Sequence, residues 1–347
     1  MTASLPAILD FPFDSPPPPG EAREVAPGVL WLRMPLPFAL DHINLWLLAG
    51  ERGWTLVDTG YGDAATRDIW EQHATRLLAS GTIEHIVATH YHPDHAGNAA
   101  WLSRRFDCAV AMTHTEFLTA HSIHAELGSY TPDATLDLFR AHGLAADALA
   151  ALRRRGNSYR RGAPELPHTF ERLLHGQAIE VGGIAWHVIV GHGHSPEHAS
   201  LHAPALGVLI AGDMLLPRIS TNVSVWPVEP AADPVQRFVD SLEAFEALAP
   251  DTLVLPSHGL PFRGIAMRVA ALRSHHAARL DELAAALRQL GRATAADVVP
   301  VLFKRTLDLQ QQFFAMGEAI AHLNRLWHAG RAHRVADAGV LRFIPSD

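Results

Sequence analysis

The chain has 347 residues, 48% of them apolar and 18% charged, with a net charge of −8. That length supports one large domain and a smaller one with ample core, and the acidic balance does not favour a polyanionic partner. Cys108 is the single cysteine, which excludes an intrachain disulfide. No apolar run reaches the ~18 residues of a membrane span, and the N-terminal stretch lacks the basic start and apolar core of a signal peptide. The expectation is a cytoplasmic protein.

Residues 1–27 contain Pro16-Pro17-Pro18-Pro19-Gly20 and read as an extended lead-in. Val29–Leu32, Ile43–Leu48 and Trp54–Val57 then predict strands of one sheet, joined by short turns. Asp58-Thr59-Gly60 follows the third. Asp63–Ala79 has helical spacing, with Ile69, Trp70, His73, Leu77 and Leu78 on one face and Asp63 as the N-cap. Ile86-Val87-Ala88 predicts a short buried strand that ends in Thr89-His90-Tyr91-His92-Pro93-Asp94-His95. Four metal-capable side chains sit in that loop. His90 and His92 are two apart and face one side if the backbone stays extended. Asp94 and His95 follow the turn at Pro93 and face a second position, so one loop can feed two adjacent metal ions.

Gly97–Leu102 predicts the start of a helix, and Cys108–Met112 another strand. Residues 115–175 break the strand rhythm with three helical patterns, Thr115–Glu126, Asp133–His142 and Ala145–Arg155. They predict a helical insertion over the metal loop, where it would line or cover a substrate pocket. Arg153, Arg154, Arg155, Arg160 and Arg161 form its basic cluster, either a solvated helix end or an anion-recognition patch. Ala178–Val190 predicts strands turning at Gly182-Gly183. Three apolar strands then end in polar candidates: Val188-Ile189-Val190 before His192-Gly193-His194, Val208–Ala211 before Gly212-Asp213, and Leu253–Leu255 before Ser257-His258. Pro234–Leu248 and Arg268–Leu290 predict helices. Thr294 caps a helix over Ala295–Leu302, Gln310–His328 predicts another, and Arg331–Phe343 reads as two strands around Asp337-Ala338-Gly339.

The H-x-H-x-D-H pattern of His90–His95 is preceded by Leu56-Val57-Asp58-Thr59-Gly60 and followed in order by His194, Asp213 and His258. Over roughly residues 28–262 this resembles the metallo-β-lactamase superfamily. The resemblance implies an α/β fold, the family's αββα sandwich, over residues 28–265, with the insertion at about 115–175 and a C-terminal winged-helix-like domain at 266–347. It implies that His90, His92 and His194 hold one metal and Asp94, His95 and His258 a second, with Asp213 bridging. Zinc is the expected ion, with iron or manganese as alternatives, because His/Asp sites accept all three. Two ions roughly 3.5–4 Å apart share a water and lower its pKa toward about 7, giving a hydroxide nucleophile; Asp94 is the catalytic residue that aligns it.

Asp58 either supports the metal loop from behind, as in the family, or caps a turn. His198 resembles a position behind the ligands, and His192 is a rival ligand. Tyr91 and Pro93 are packing residues. His42 and Asn44 are substrate-side candidates, and His275-His276 a helix face. The expected activity is hydrolysis of a small thioester, ester or lactone, nearest in description to glyoxalase II. The alternatives are a single-strand endoribonuclease and a non-catalytic binding module of the same fold. The helix at 310–328 carries little positive charge, so nucleic acid is not the expected partner. Packing against the catalytic domain, or homodimerisation, is the expected role of the C-terminal region.

Overall fold

The computed structural model describes residues 9–76 and 81–346. Leu77, Leu78 and Ala79 of the predicted helix lie outside the described residues. The first sheet contains β1 (Ala22–Ala26), β2 (Val29–Pro35), β3 (His42–Ala49), β4 (Trp54–Val57), β5 (Ile83–Val87), β6 (Ala109–Thr113) and β7 (Glu171–Leu173), side by side in chain order. Pairing is antiparallel from β1 to β4 and parallel from β4 to β7. The second sheet contains β8 (Ala178–Val181), β9 (Ile184–Gly191), β10 (His198–Ala203), β11 (Val208–Gly212) and β12 (Leu253–Pro256). Its strands are antiparallel except for the parallel pair β11–β12.

Alternation along the strands builds the layers. In β3, Trp46 and Leu48 face the second sheet, where Trp186, Val188, Leu201, Ile210 and Leu255 meet them. Ile43, Leu45 and Leu47 face the other way. There they pack with Leu56 and Ile86 against α1 (Ala64–Arg76) and, past the short α2 (Pro93–Ala96), α3 (Ala99–Phe106). A strand buried on both faces reads as a continuous apolar run, as β3 does. Each large side chain fully buried this way contributes roughly 1.5–3 kcal/mol. The outcome is the αββα sandwich that the resemblance implies.

The predicted helical insertion holds α4 (His114–Ala125), α5 (Pro132–Ala141), α6 (Ala146–Arg153) and α7 (Tyr159–Gly162). The outer face of the second sheet carries α8 (Pro234–Glu246), α9 (Ile265–Leu290) and, after α10 (Ala295–Leu302), α11 (Leu309–His328). The chain ends in the hairpin β13 (Ala332–Asp337) and β14 (Val340–Pro345). These C-terminal elements follow one another in the predicted order. Thr294 and Asp297 form a reciprocal capping box at α10, and Asp308 and Gln311 another at α11, each satisfying two otherwise orphaned donors. The insertion and this region touch: the Ala296 amide donates to the His142 carbonyl at 3.1 Å. Among the described residues, no helix is long and apolar enough to cross a membrane.

Three strands depart from the sequence reading. β1 continues the sheet into the lead-in, and Phe13 packs edge-on to Trp31 at 6.2 Å; the charges of Arg23 and Glu24 hide its apolar side. β7 interrupts the helical insertion with a charged three-residue strand. β10 is buried although it reads His-Ala-Ser-Leu-His-Ala. Its Ser200 hydroxyl donates to the Ala211 carbonyl at 3.1 Å, which offsets the cost of burying it.

The insertion sits on the metal loop at a point where only glycine fits. A Cβ on Gly97 would overlap the carbonyl oxygens of Pro93 and Gly162. Gly97→Ala is therefore expected to lower stability by about 1–3 kcal/mol. Gly81→Ala, whose Cβ would meet nothing closer than 3.5 Å, is expected to stay within about 0.5 kcal/mol. Urea denaturation midpoints of the two variants check this, and equal midpoints refute the close contact.

Candidate metal centre

Five strands end at one edge of the sandwich, and the residues just beyond them converge. β4 leads into Asp58, β5 into Thr89–His95, β9 into His194, β11 into Asp213 and β12 into His258. One donor atom from each of His90, His92, His194 and Asp213 forms a first group, with all the atoms within 4.8 Å of one another. Asp94, His95 and His258 form a second group by the same measure. The structure thus brings all seven candidates together, in the two sets that the resemblance implies.

In the first group, His90 Nε2 lies 2.8 Å from His92 Nδ1 and 3.1 Å from His194 Nε2. The Asp213 Oδ2 atom is 3.1 Å from His194 Nε2. Its other oxygen, Oδ1, faces the second group, 3.7 Å from His95 Nε2 and 3.4 Å from His258 Nε2. Asp94 Oδ2 lies 3.7 Å from His95 Nε2 and 3.6 Å from His258 Nε2. Asp213 therefore spans both groups, while Asp94 belongs to the second.

In four of the five rings the nitrogen that faces away from the cluster is engaged. His194 Nδ1 donates to the Asn222 carbonyl at 2.8 Å, and His258 Nδ1 to the His42 carbonyl at 2.8 Å. His95 Nδ1 donates to Asp58 Oδ2 at 2.8 Å. His90 Nδ1 is 3.1 Å from the Thr89 hydroxyl, which itself lies 3.0 Å from both Asp58 oxygens. Such bonds fix the tautomer and aim the remaining lone pair inward. Asp58 follows β4 in the left-handed region, with φ at 61°, a conformation that Asp tolerates better than most residues. There it also accepts the Thr89 amide at 2.8 Å. It holds the loop from behind rather than merely capping a turn.

The electrostatics are those of a cation site. Burial, reinforced by the neighbouring imidazoles, pushes His90 and His92 well below the usual histidine range. Burial opposes charge on Asp213, yet His258, His95 and His194 hold its carboxyl well below the usual range. Burial also opposes charge on His95, but Asp58, Asp94 and Asp213 outweigh it and raise its pKa to about 10. Its Nε2 atom is buried without a hydrogen-bond partner. A divalent ion fits this arrangement: it would give that nitrogen a partner and neutralise the carboxylates. The donor set is imidazole and carboxylate without sulfur, which suits borderline metals.

Other candidates sort themselves around this core. His198 Nε2 accepts the Asp213 amide at 3.1 Å, so it backs the cluster. His192 is exposed; its Nδ1 donates to the Pro196 carbonyl at 2.6 Å, and the ring lines a groove against α8. It is no rival ligand. Tyr91 is buried against Ala120, Tyr159 and Ala163. Asn44 is not on a substrate side: it is fully buried, and its amide nitrogen donates to the Pro256 and Gly259 carbonyls at 2.9 and 2.8 Å, pinning the His258 loop from below. Its place on β3, whose residues are buried on both faces, forces this. His42 acts on the same loop, accepting the Gly259 amide at 2.9 Å. His276 is a buried residue facing His322 at 3.3 Å, not an open helix face.

Several supporting residues escape the sequence reading. Glu116 on α4 is fully buried and accepts the Tyr91 amide, the Ser195 hydroxyl and the Glu197 amide at 2.9, 2.6 and 2.6 Å. It ties the His90–His95 loop to the His194 loop. Burial still raises its pKa, against the pull of those bonds. Nothing local in the sequence distinguishes it from an ordinary helical acid. Asn222, which orients His194, also receives support from the C-terminal region, as its amide nitrogen donates to Glu318 on α11 at 3.2 Å. Ser257 donates to Asp213, and Thr221 to the Asp213 carbonyl.

Comparison with known proteins agrees with this geometry. Residues 39–258 match the metallo-beta-lactamase superfamily, and residues 280–346 match its metallo-beta-lactamase-like C-terminal domain. The chain is similar to the "probable metallo-hydrolase YqjP" of Bacillus subtilis (strain 168), 25% identical over 310 residues that cover 86% of this chain and 92% of that protein. Among solved structures, a beta-lactamase domain protein from Burkholderia ambifaria superposes with a TM-score of 0.90 at 47% identity, covering 97% of this chain and 98% of that one. A metallo-beta-lactamase family protein from Thermus thermophilus gives 0.78 at 30% identity, covering 93% and 100%. With converging His/Asp groups at the strand ends and a family match over most of its length, the chain belongs to the metallo-β-lactamase superfamily, among its metallo-hydrolases.

Proposed function

We propose that the protein is a binuclear hydrolase of a small acyl substrate: a thioester, an ester or a lactone. The observation that carries this reading is the pairing of two donor groups through the two oxygens of Asp213. His90, His92, His194 and Asp213 would hold one divalent ion, and Asp94, His95, His258 and Asp213 the other. Zinc is the proposed ion, with iron and manganese compatible with the same donors. A pair of such ions acidifies a water and withdraws charge from a carbonyl.

The chain's own residues do the rest. His95, His194 and His258 keep their inner lone pairs aimed because their outer N–H groups are bound. Asp94 retains 14% side-chain exposure, while His95 beside it has none. Its carboxylate can accept a proton or a hydrogen bond from the attacking water, the role proposed for it here. No serine or cysteine nucleophile is needed. The complete donor set speaks against a non-catalytic module. A polynucleotide substrate gains little support from the arginine cluster, since Arg153 pairs with Asp133 at 3.1 Å and Arg160 lies 4.0 Å from Glu126.

His92→Ala and Asp213→Ala are expected to lose bound metal and more than roughly 99.9% of thiol release from acyl thioesters, with unchanged far-ultraviolet circular dichroism. Metal content by mass spectrometry and turnover on a thioester panel check this. Full turnover by metal-free Asp213→Ala protein refutes the two-metal mechanism. No release by metal-loaded wild type moves the substrate toward lactones or oxygen esters.

Asp58→Ala is expected to weaken metal affinity about 10–100-fold, because His95 and Thr89 lose their shared acceptor. Competition with a chelator measures it. Wild-type affinity in that variant means that His95 does not depend on Asp58 for its orientation.

A further inference from the structure

Within the basic cluster of the insertion, the arginines have different surroundings. Arg153 and Arg160 have carboxylates nearby, and Arg154 is exposed. Arg155 is half-buried, yet among the described residues no carboxylate lies within ion-pair distance of it or of Arg161. Its guanidinium carbon lies 4.2 Å from the centre of the Phe313 ring on α11, and its carbonyl accepts an N–H from Arg161 at 2.9 Å. Cation–π contact offsets part of the desolvation of a guanidinium, but buried charge is ordinarily met by an opposite charge. Here that opposite charge is missing.

The position of this pair relates it to the metal centre. Arg161 precedes Gly162, whose Cβ position is filled by the Tyr61 ring and whose carbonyl accepts the Gly62 amide at 2.7 Å. The Tyr159 hydroxyl, on the same short helix, donates to the Tyr91 carbonyl of the metal loop at 2.8 Å. Burial raises the Tyr61 phenol; Arg161 and Arg155 oppose that rise, whereas Asp63 and Asp94 add to it. Tyr61, whose ring packs on Gly162 next to Arg161, thus feels the charge of both guanidiniums and of Asp94. On the other side, Phe313 packs 5.8 Å from Trp226, four residues beyond the Asn222 that orients His194. Tyr61, Trp226 and Phe313 all keep some solvent contact.

We infer that Arg155 and Arg161, with the Tyr61 hydroxyl, form a subsite beside the metal centre that binds an anionic group, a carboxylate or a phosphate, carried by the substrate. This rests on the hydrolase reading for the reaction it serves, and narrows the substrate to an acyl compound with a terminal negative charge. Two guanidiniums and a phenol suit a planar or tetrahedral oxyanion, and Phe313 and Trp226 offer apolar surface to the chain that bears it.

The test is calorimetric titration of the metal-loaded protein with glutarate and, separately, with propyl phosphate. Wild type is compared with Arg155→Gln, Arg161→Gln and, as a control, Arg154→Gln. Wild type is expected to bind at least one probe, and the tighter one identifies the anion. Each of the first two substitutions is expected to weaken it roughly ten- to hundred-fold, and the control to leave it unchanged. Arg161 is exposed, so its variant carries the test if Arg155→Gln does not fold. No binding of either probe to wild type, or equal binding by wild type and Arg161→Gln, overturns the subsite. Thiol release measured on the same samples separates the two readings. Arginine-dependent binding without any acyl hydrolysis keeps the subsite and removes the hydrolase. Hydrolysis with arginine-independent binding does the reverse.

Discussion

Five imidazoles and two carboxylates share one pocket, and keeping them there governs how the surrounding fold is built. Lone pairs aimed at a common point repel, and buried imidazolium ions repel still more. The fold counters this by tying the outer nitrogens of four of the rings and by placing Asp58 beneath His95. The donors come from four separate loops, so each loop needs its own anchor. Asn44 and His42 anchor the His258 loop, Glu116 joins the His90 and His194 loops, and His198, Thr221 and Ser257 contact Asp213. A preorganised cluster of this kind binds a cation without first ordering its ligands.

The sandwich makes such anchoring possible because its strands deliver their loops to one edge. β4 and β5 run parallel, as do β11 and β12, and in each pair both strands end beside the cluster. Trp31 on β2 and its β3 neighbour Trp46 stack at 6.0 Å in the layer between the sheets, and the Trp31 indole N–H donates to Asn44 at 2.8 Å. Core packing and loop anchoring therefore meet in one residue. A change in the inter-sheet layer would reach the His258 loop through Asn44 without touching any donor.

The main layers and the donor cluster were legible because both are written in local pattern. β11 is an unbroken apolar run, β3 nearly so, and β5 ends in the apolar pair Ile86-Val87; the donors of the metal loop and Asp213 lie directly after β5 and β11. Thr294 is readable as a helix cap for the same reason, since a few consecutive residues suffice to mark a helix start. What escaped depends on contacts far apart in the chain. β10 carries no apolar run to announce it, and the partner of its Ser200 lies across the sheet on β11. Asn44 looked like a pocket residue because its two acceptors come 212 and 215 residues later. Glu116 reads as an ordinary helical acid until Tyr91, Ser195 and Glu197 are brought around it. Side chains that join loops leave no periodic trace in the sequence.

The C-terminal region and the insertion bear on the centre in different ways. The C-terminal helix α11 supports a donor from behind, through Glu318, Asn222 and His194. The same helix contributes Phe313 to the surface under Arg155. The insertion reaches the metal loop through Tyr159 and Glu116 and also carries Arg155 and Arg161. A donor cluster built on strand ends is stiff and chemically general, whereas a rim built from inserted helices can change without disturbing it. On the proposed hydrolase reading, reaction type would reside in the sandwich and substrate choice in the insertion and tail. Phe313 under Arg155 is one of the points where those two added pieces meet, so altering either one alone would change that contact while leaving the metal donors in place.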